Sequence, residues 1–378
     1  MIDFGLSDEQ EALQRSAREF LARECPPALV RETATSDDGV PRDLYRKMAE
    51  LGWMGLIVPE KENGLGLGAL ELALVLEELG RVAAPGPFLA TQLVIAALVR
   101  AGTAAQRGAW LPRLLAGEAF GSLAHLEETD RHEPGGIQAR AKKTRDGYVL
   151  SGTKLFVPEA QAADVFLVAA RTKAGSAATG VSLFLVERGA RGLRVKPQQH
   201  VDVTRRFGEV VLKDVAVPRA ALLGTEGQGW PVLARLLDLA AIGIAADSLG
   251  GAQRAIEMAV DYSKVREQFG RKIGSFQALK HIAAEMVADV EPSRSLVWYA
   301  AYAWDHRPRE AARAAAMAKA SLSEVYSRTA RRSVEMHGGI GFTWEFDLQL
   351  WFKRAHTNEI AFGDPAFHRE RVAQLAGY

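Results

Sequence analysis

Arg266, Phe269 and Gly270 lie within five consecutive residues and bring together a guanidinium, a flat apolar ring and an unhindered backbone. A guanidinium forks onto phosphate oxygens, and a glycine lets the chain approach a ligand closely. An Arg after a long helix is, taken alone, more often a surface charge at the helix end. Gly338-Gly339 has two readings as well, a glycine helix stop or a close approach to a ligand. Asp247 stands among Ala, Ile and Leu in a helical pattern. Desolvation there raises a carboxyl toward the range of a general base, while a local hydrogen bond would make it structural. His337 and His356 have no partner spacing for a metal, so no metal site is expected.

Long helices must position these residues. Ala/Leu-rich helical patterns cover 230–267, 276–303 and 309–336 and predict a bundle. Upstream, residues 7–118 also read as helical. Ser7 caps a first helix whose first turn carries Asp8 and Glu9, and further helices are predicted over 42–51 and 70–79. Between the helical parts, β-branched or alternating runs at 148–157, 165–170, 181–186 and 209–212 predict an antiparallel β-domain. The expected class is α+β, with an N-terminal helical domain over 1–118, a middle β-domain over 119–224 and a C-terminal helical bundle over 225–378.

A length of 378 residues suits two or three domains. With 47 basic against 46 acidic side chains the net charge is +1, which argues against a nucleic-acid protein and leaves room for a local patch that meets a phosphorylated ligand. Cys25 is the single cysteine, so no intrachain disulfide or all-cysteine metal site can form. The stretch from Met1 to Gln10 lacks a basic region followed by an apolar run, and 88–99 is too short to span a bilayer. A soluble, cytoplasmic protein without membrane contact is expected.

Several segments resemble the acyl-CoA dehydrogenase family. Leu51-Gly52-Trp53-Met54-Gly55-Leu56-Ile57-Val58-Pro59-Glu60, Glu77-Glu78-Leu79-Gly80-Arg81 and Leu111-Pro112-Arg113-Leu114-Leu115-Ala116-Gly117-Glu118 look like its N-domain signatures. Glu335-Met336-His337-Gly338-Gly339-Ile340-Gly341-Phe342 resembles its flavin-binding end, and Arg266-Glu267-Gln268-Phe269-Gly270 with Phe276-Gln277 is similar to the segment that reaches a neighbouring subunit. The resemblance implies FAD as cofactor, held at its adenosine-pyrophosphate end by Arg266, Phe269 and Gln277 and approached by Glu335, Gly338 and Gly339. It further implies an acyl-CoA substrate and electron-transfer flavoprotein as acceptor.

Departures gather at the chemical end of the flavin. The family's Tyr-Glu-Gly-Thr, whose Glu is the base, is matched by Ala361-Phe362-Gly363-Asp364. Its flavin loop is rewritten over Leu126-Glu127-Glu128-Thr129-Asp130-Arg131-His132-Glu133-Pro134-Gly135-Gly136, and Lys-x-Trp-Ile-Thr becomes Lys154-Leu155-Phe156-Val157-Pro158. A second family position for the base falls on Ala240, and Ala240 with Ala241 implies room for a large acyl group. Around Asp247 the helix resembles steroid-degrading heteromeric members, which makes the candidate base either Asp247 or a Glu on the partner subunit. Lys353-Arg354 reads as a helix-end pair able to meet CoA phosphates. The expected function is a subunit of an FAD-dependent dehydrogenase of bulky, steroid side-chain acyl-CoA, working as a heterotetramer with a second acyl-CoA dehydrogenase subunit. The alternatives are a non-catalytic partner subunit and a self-sufficient homotetramer using Asp247.

Overall fold

The computed structural model describes residues 5–378, so Met1-Ile2-Asp3-Phe4 of the N-terminal stretch read above lie outside the described residues. The N-terminal part is helical: α1 (Asp8–Glu24), α2 (Pro27–Ala34), α3 (Arg42–Glu50), α4 (Ala69–Arg81), α5 (Phe88–Ala101) and α6 (Ala104–Leu115). Ser7 caps α1 through a capping box. Its hydroxyl accepts from the Gln10 N–H at 3.3 Å, and its own N–H donates to the Gln10 side chain at 2.9 Å.

The middle part is a sheet of β1 (Gly121–Ala124), β2 (Arg140–Lys143), β3 (Gly147–Pro158), β4 (Val165–Arg171), β5 (Val181–Glu187), β6 (Leu193–Gln198), β7 (Phe207–Pro218) and β8 (Leu222–Leu223), in the order β6-β7-β3-β2-β4-β5-β8 with β1 beside β4. Pairing is antiparallel except where β4 meets β1 and β2. Successive side chains of a strand face opposite ways. Val165, Leu167 and Ala169 of β4 therefore join the large core shared with the helices, while Phe166, Val168 and Ala170 join a second core on the other face. Burial of both faces is why this strand reads as a continuous apolar run.

The C-terminal part comprises α7 (Trp230–Val265), a two-strand hairpin of β9 (Glu267–Gln268) and β10 (Arg271–Lys272), then α8 (Gln277–His306), α9 (Ala311–His337), α10 (Leu348–Ile360) and α11 (Pro365–Ala376). Two glycines set how α4 meets α7. A Cβ on Gly80 would lie 2.0 Å from the Asp247 carbonyl oxygen, and one on Gly250 would lie 1.8 Å from that of Glu77. Only a missing side chain lets the two backbones touch. This contact fixes Asp247 deep in the protein. No helix among the described residues is long and apolar enough to cross a membrane.

Candidate active site

A cavity of ≈ 390 Å³ opens between the sheet and α10. Its walls include His125, Phe156, Pro158, Lys353, Thr357 and Phe362. Phe156, Asp130 and Phe362 all line it with positive φ, at 48°, 51° and 58°. Left-handed backbone at non-glycine residues is costly and tends to gather at functional sites.

Phe362 follows α10 in the loop before α11, and histidines surround it. The His125 ring lies parallel to the Phe362 ring, at 1° between planes and 5.9 Å between centroids. His125 Nε2 meets His132 Nδ1 at 3.2 Å, and the Phe362 carbonyl lies 3.0 Å from His368 Nε2. Burial, reinforced by cationic neighbours, holds His125 well below the usual imidazole range and His368 at about 3. Lys319 ties the loop from below. Its Nζ donates to the Gly363 carbonyl at 2.9 Å, the Glu359 carbonyl at 3.1 Å and the Ser323 hydroxyl at 2.8 Å. Burial brings Lys319 down to about 7, against the pull of Asp364 and Glu359.

Asp247 is not placed to act as a base. Arg354 clasps it with Nε on Oδ1 at 2.9 Å and an η-nitrogen on Oδ2 at 2.5 Å, Arg205 reaches Oδ2 at 2.9 Å, and the Asn358 amide reaches Oδ1 at 2.7 Å. Burial alone would raise this carboxyl, but the two guanidiniums and the amide outweigh it and hold it below the ordinary carboxylate range. Asp247 does not line the cavity. The CoA reading of Arg354 is corrected by the same contacts, because the side chain is buried at 1% exposure and spent on Asp247. Lys353 does line the cavity, with its ammonium 5.3 Å from the Trp344 ring centre. Ala240 and Ala241 are completely buried, so they fill the core and do not widen the cavity.

The residues expected to hold FAD face outward. Phe269 sits at the tip of the β9–β10 hairpin, 92% exposed, with φ 54° followed by Gly270 at 75°. Two adjacent left-handed residues are the geometry of a tight hairpin turn. Arg266 and Gln277 are exposed, and Arg266 has no ion-pair partner among the described residues. Gly338, at φ 67°, and Gly339 have nothing within 4 Å of where a Cβ would stand. Glu335 is exposed one turn before them. Tyr262, one turn before Arg266, stacks on His337 at 4.5 Å, which brings the two segments to one end of the bundle. A free guanidinium, an exposed ring and an open glycine pair fit a dinucleotide tail lying on this surface.

In the rewritten loop the surviving carboxylate is structural. Glu127 accepts from the Gln138 and Ala139 N–H groups at 3.0 Å and from the buried Lys154 ammonium at 2.5 Å. Lys154 also donates to the His125 carbonyl at 3.1 Å. Sequence reasoning missed His125 and gave His132 no weight. The available signal was their place in and beside the very loop that departs from the family.

Acyl-CoA dehydrogenase family descriptions match the chain throughout: the N-terminal domain over residues 7–118, the middle domain over 122–215 and the C-terminal domain over 227–376. Among curated relatives, the acryloyl-CoA reductase (NADH) of Anaerotignum propionicum is 31% identical, with 99% of this chain and 95% of the relative covered. An acyl-CoA dehydrogenase of Bacillus subtilis (strain 168) is 30% identical, at 96% and 97% coverage. Among solved structures, butyryl-CoA dehydrogenase from Megasphaera elsdenii superposes with a TM-score of 0.91 at 29% identity, covering 99% of this chain and 100% of the other. The Tcur3481-Tcur3483 steroid ACAD gives 0.85 at 30% identity, with 98% of each chain covered. The chain belongs to the acyl-CoA dehydrogenase family and is an FAD-dependent oxidoreductase acting on CH–CH bonds.

Proposed function

We propose that this chain is one subunit of an acyl-CoA dehydrogenase that introduces an α,β double bond into a bulky acyl-CoA, a steroid side-chain thioester being the leading class, and that its partner is a second, different chain of the same fold. The observation that carries this reading is the outward placement of Arg266, Phe269 and Gln277, beyond the chain's own cavity. A cofactor tail bound there needs a second chain to complete its site. Phe156, Pro158 and Phe362 at the ring end favour a partner with a different sequence, and likeness to the Tcur3481-Tcur3483 steroid ACAD supports a steroid acyl group.

Bound FAD would supply the hydride acceptor for the β-hydrogen, with electron-transfer flavoprotein as the onward electron acceptor. The chain's own residues have three tasks. Arg266, Phe269, Gln277, Glu335, Gly338 and Gly339 hold the dinucleotide tail. The apolar cavity beside Phe362 excludes water from the acyl group. A proton acceptor in that cavity takes the α-hydrogen.

Expression alone and together with the protein of a neighbouring reading frame tests the assembly. The proposal expects a colourless or insoluble lone chain that becomes yellow and active on co-expression. A yellow, active homo-oligomer of the lone chain would instead mean a self-sufficient enzyme. Phe362 at the base position also favours a second reading, a partner that assembles and does not turn over.

A further inference from the structure

We infer that the proton acceptor of this subunit is the His125–His132 pair: His125 takes the α-proton and His132 carries it away. The inference rests on the dehydrogenase reading above and deepens it. Phe362 stands in the slot of the family's carboxylate, and the ring packed parallel to it is His125. Both residues line the ≈ 390 Å³ cavity. Of the carboxylates near Phe362, Glu159 is buried in an adjoining pocket of ≈ 30 Å³ with Arg205, is pushed up to about 7 by burial, and does not line the ≈ 390 Å³ cavity. Asp247 is consumed by Arg354, Arg205 and Asn358. Among the described residues Asp130 is the one carboxylate on the wall of that cavity, and it lies on the exposed part of its loop.

His125 is held for such a role. It is 5% exposed, and its backbone is pinned by Lys154, which Glu127 in turn holds. The 3.2 Å contact with His132 requires one nitrogen to carry hydrogen and the other to be bare. With Nε2–H of His125 donating to Nδ1 of His132, Nδ1 of His125 keeps its lone pair. His132 also lines a second cavity of ≈ 130 Å³, together with Glu133, Glu370 and Arg371. The pair therefore leads from the ≈ 390 Å³ cavity to this second one, which also touches Phe362 and carries charged side chains.

In the step, the Cα–H bond breaks and an N–H bond forms at His125 Nδ1. The electron pair left at Cα becomes the new π bond as the β-hydrogen leaves with its own pair to FAD, the enzyme's oxidant. His125 then passes its Nε2 proton to His132 Nδ1, and His132 releases its Nε2 proton toward the second cavity. Lys154 and His132 face His125, while Asp130, Glu133, Lys319, Arg371 and His368 face His132. Burial and the cations hold both imidazoles neutral at pH 7. The exchange rate should fall with falling pH only well below the ordinary imidazole range.

The test uses the FAD-loaded complex with octanoyl-CoA and a steroid C-17 propanoyl-CoA thioester as probes. Exchange of the α-hydrogen into D2O is followed by mass spectrometry without an electron acceptor, beside FAD content and acyl-CoA affinity. His125→Gln should slow exchange roughly 10²- to 10⁴-fold, the range of general-base catalysis, with FAD content and affinity unchanged. His132→Gln, at a half-buried site, should slow exchange at least about tenfold and shift its pH profile. Wild-type exchange in either variant overturns the inference, and so does loss of exchange in Asp130→Asn or Glu159→Gln alone. If His125→Gln does not fold, His132→Gln decides. Failure of the wild-type complex to bind FAD or either thioester would sink the dehydrogenase reading and not the histidine assignment alone.

Discussion

Arg354 holds Asp247 in a two-pronged, completely buried ion pair that joins α10 to α7 across the centre of the molecule. Asn358, one turn along α10, adds its amide to Asp247 and to the Ser248 hydroxyl, and Arg205 adds a third positive arm from the β-domain. The helix face that suggested a base is therefore where the domains are tied together.

Asp247→Asn should lower stability by about 3–5 kcal/mol, because it leaves buried guanidiniums without their counter-charge. Turnover per folded, flavin-loaded chain should not change. Denaturant unfolding beside a kinetic assay checks both, and lost turnover at intact stability would restore Asp247 as the base. Because the folded carboxyl titrates below its unfolded value, its contribution is present above the unfolded pKa of about 3.9 and is lost as pH falls through the folded one.

Lys319 sets a different pH window. Its folded value of about 7 lies below the unfolded one, which is about 10.4. Between these values the unfolded chain binds more protons, so the Lys319 contribution makes stability rise with pH across that window and is flat below it. Unfolding of wild type and Lys319→Met from pH 6 to 10 should show a slope that the variant lacks. Parallel curves would mean that the three oxygens around Nζ keep it charged.

Arg266→Ala should leave the stability of the chain within about 0.5 kcal/mol, since the side chain is exposed and unpaired. It should weaken FAD retention about tenfold or more, the worth of a charge-assisted phosphate contact of roughly 1.5–3 kcal/mol. Flavin fluorescence during dilution of the assembled protein measures this. Unchanged retention would remove Arg266 from the site.

Gly80→Ala tests the packing that places Asp247. A methyl group there would stand 2.0 Å from a backbone oxygen of α7, so α4 and α7 must separate. Overpacking costs about 1–3 kcal/mol where neighbours can yield, and a backbone oxygen yields poorly. A lowered thermal midpoint is expected, and an unchanged one would mean the helices slide freely.

Much of the fold was legible because the patterns are long. The helix expected over 230–267 ends at Val265. The strand expected over 165–170, an apolar run buried on both faces, extends by one residue to Arg171, whose guanidinium is held by backbone carbonyls. The helices α10 and α11 were not delimited, because Arg354 and Asn358 interrupt the apolar face of α10 for contacts far away in sequence, and His368 interrupts that of α11 for the nearby Phe362 carbonyl. The site was harder for the same reason. Asp247 looked like a carboxylate in an apolar helix, and its partners stand 42 residues earlier and 107 residues later. His125 and His132 meet across a loop, where no periodicity announces a contact.

The most direct test of the account is native mass spectrometry of the co-expressed complex, reading chain composition and bound FAD together. Outward-facing Arg266, Phe269 and Gln277 call for a second chain, and Phe156, Pro158 and Phe362 for one of different sequence. The predicted result is a heterotetramer with a second acyl-CoA dehydrogenase chain and FAD only where the two different chains meet. A homotetramer of this chain carrying one FAD per subunit would contradict it.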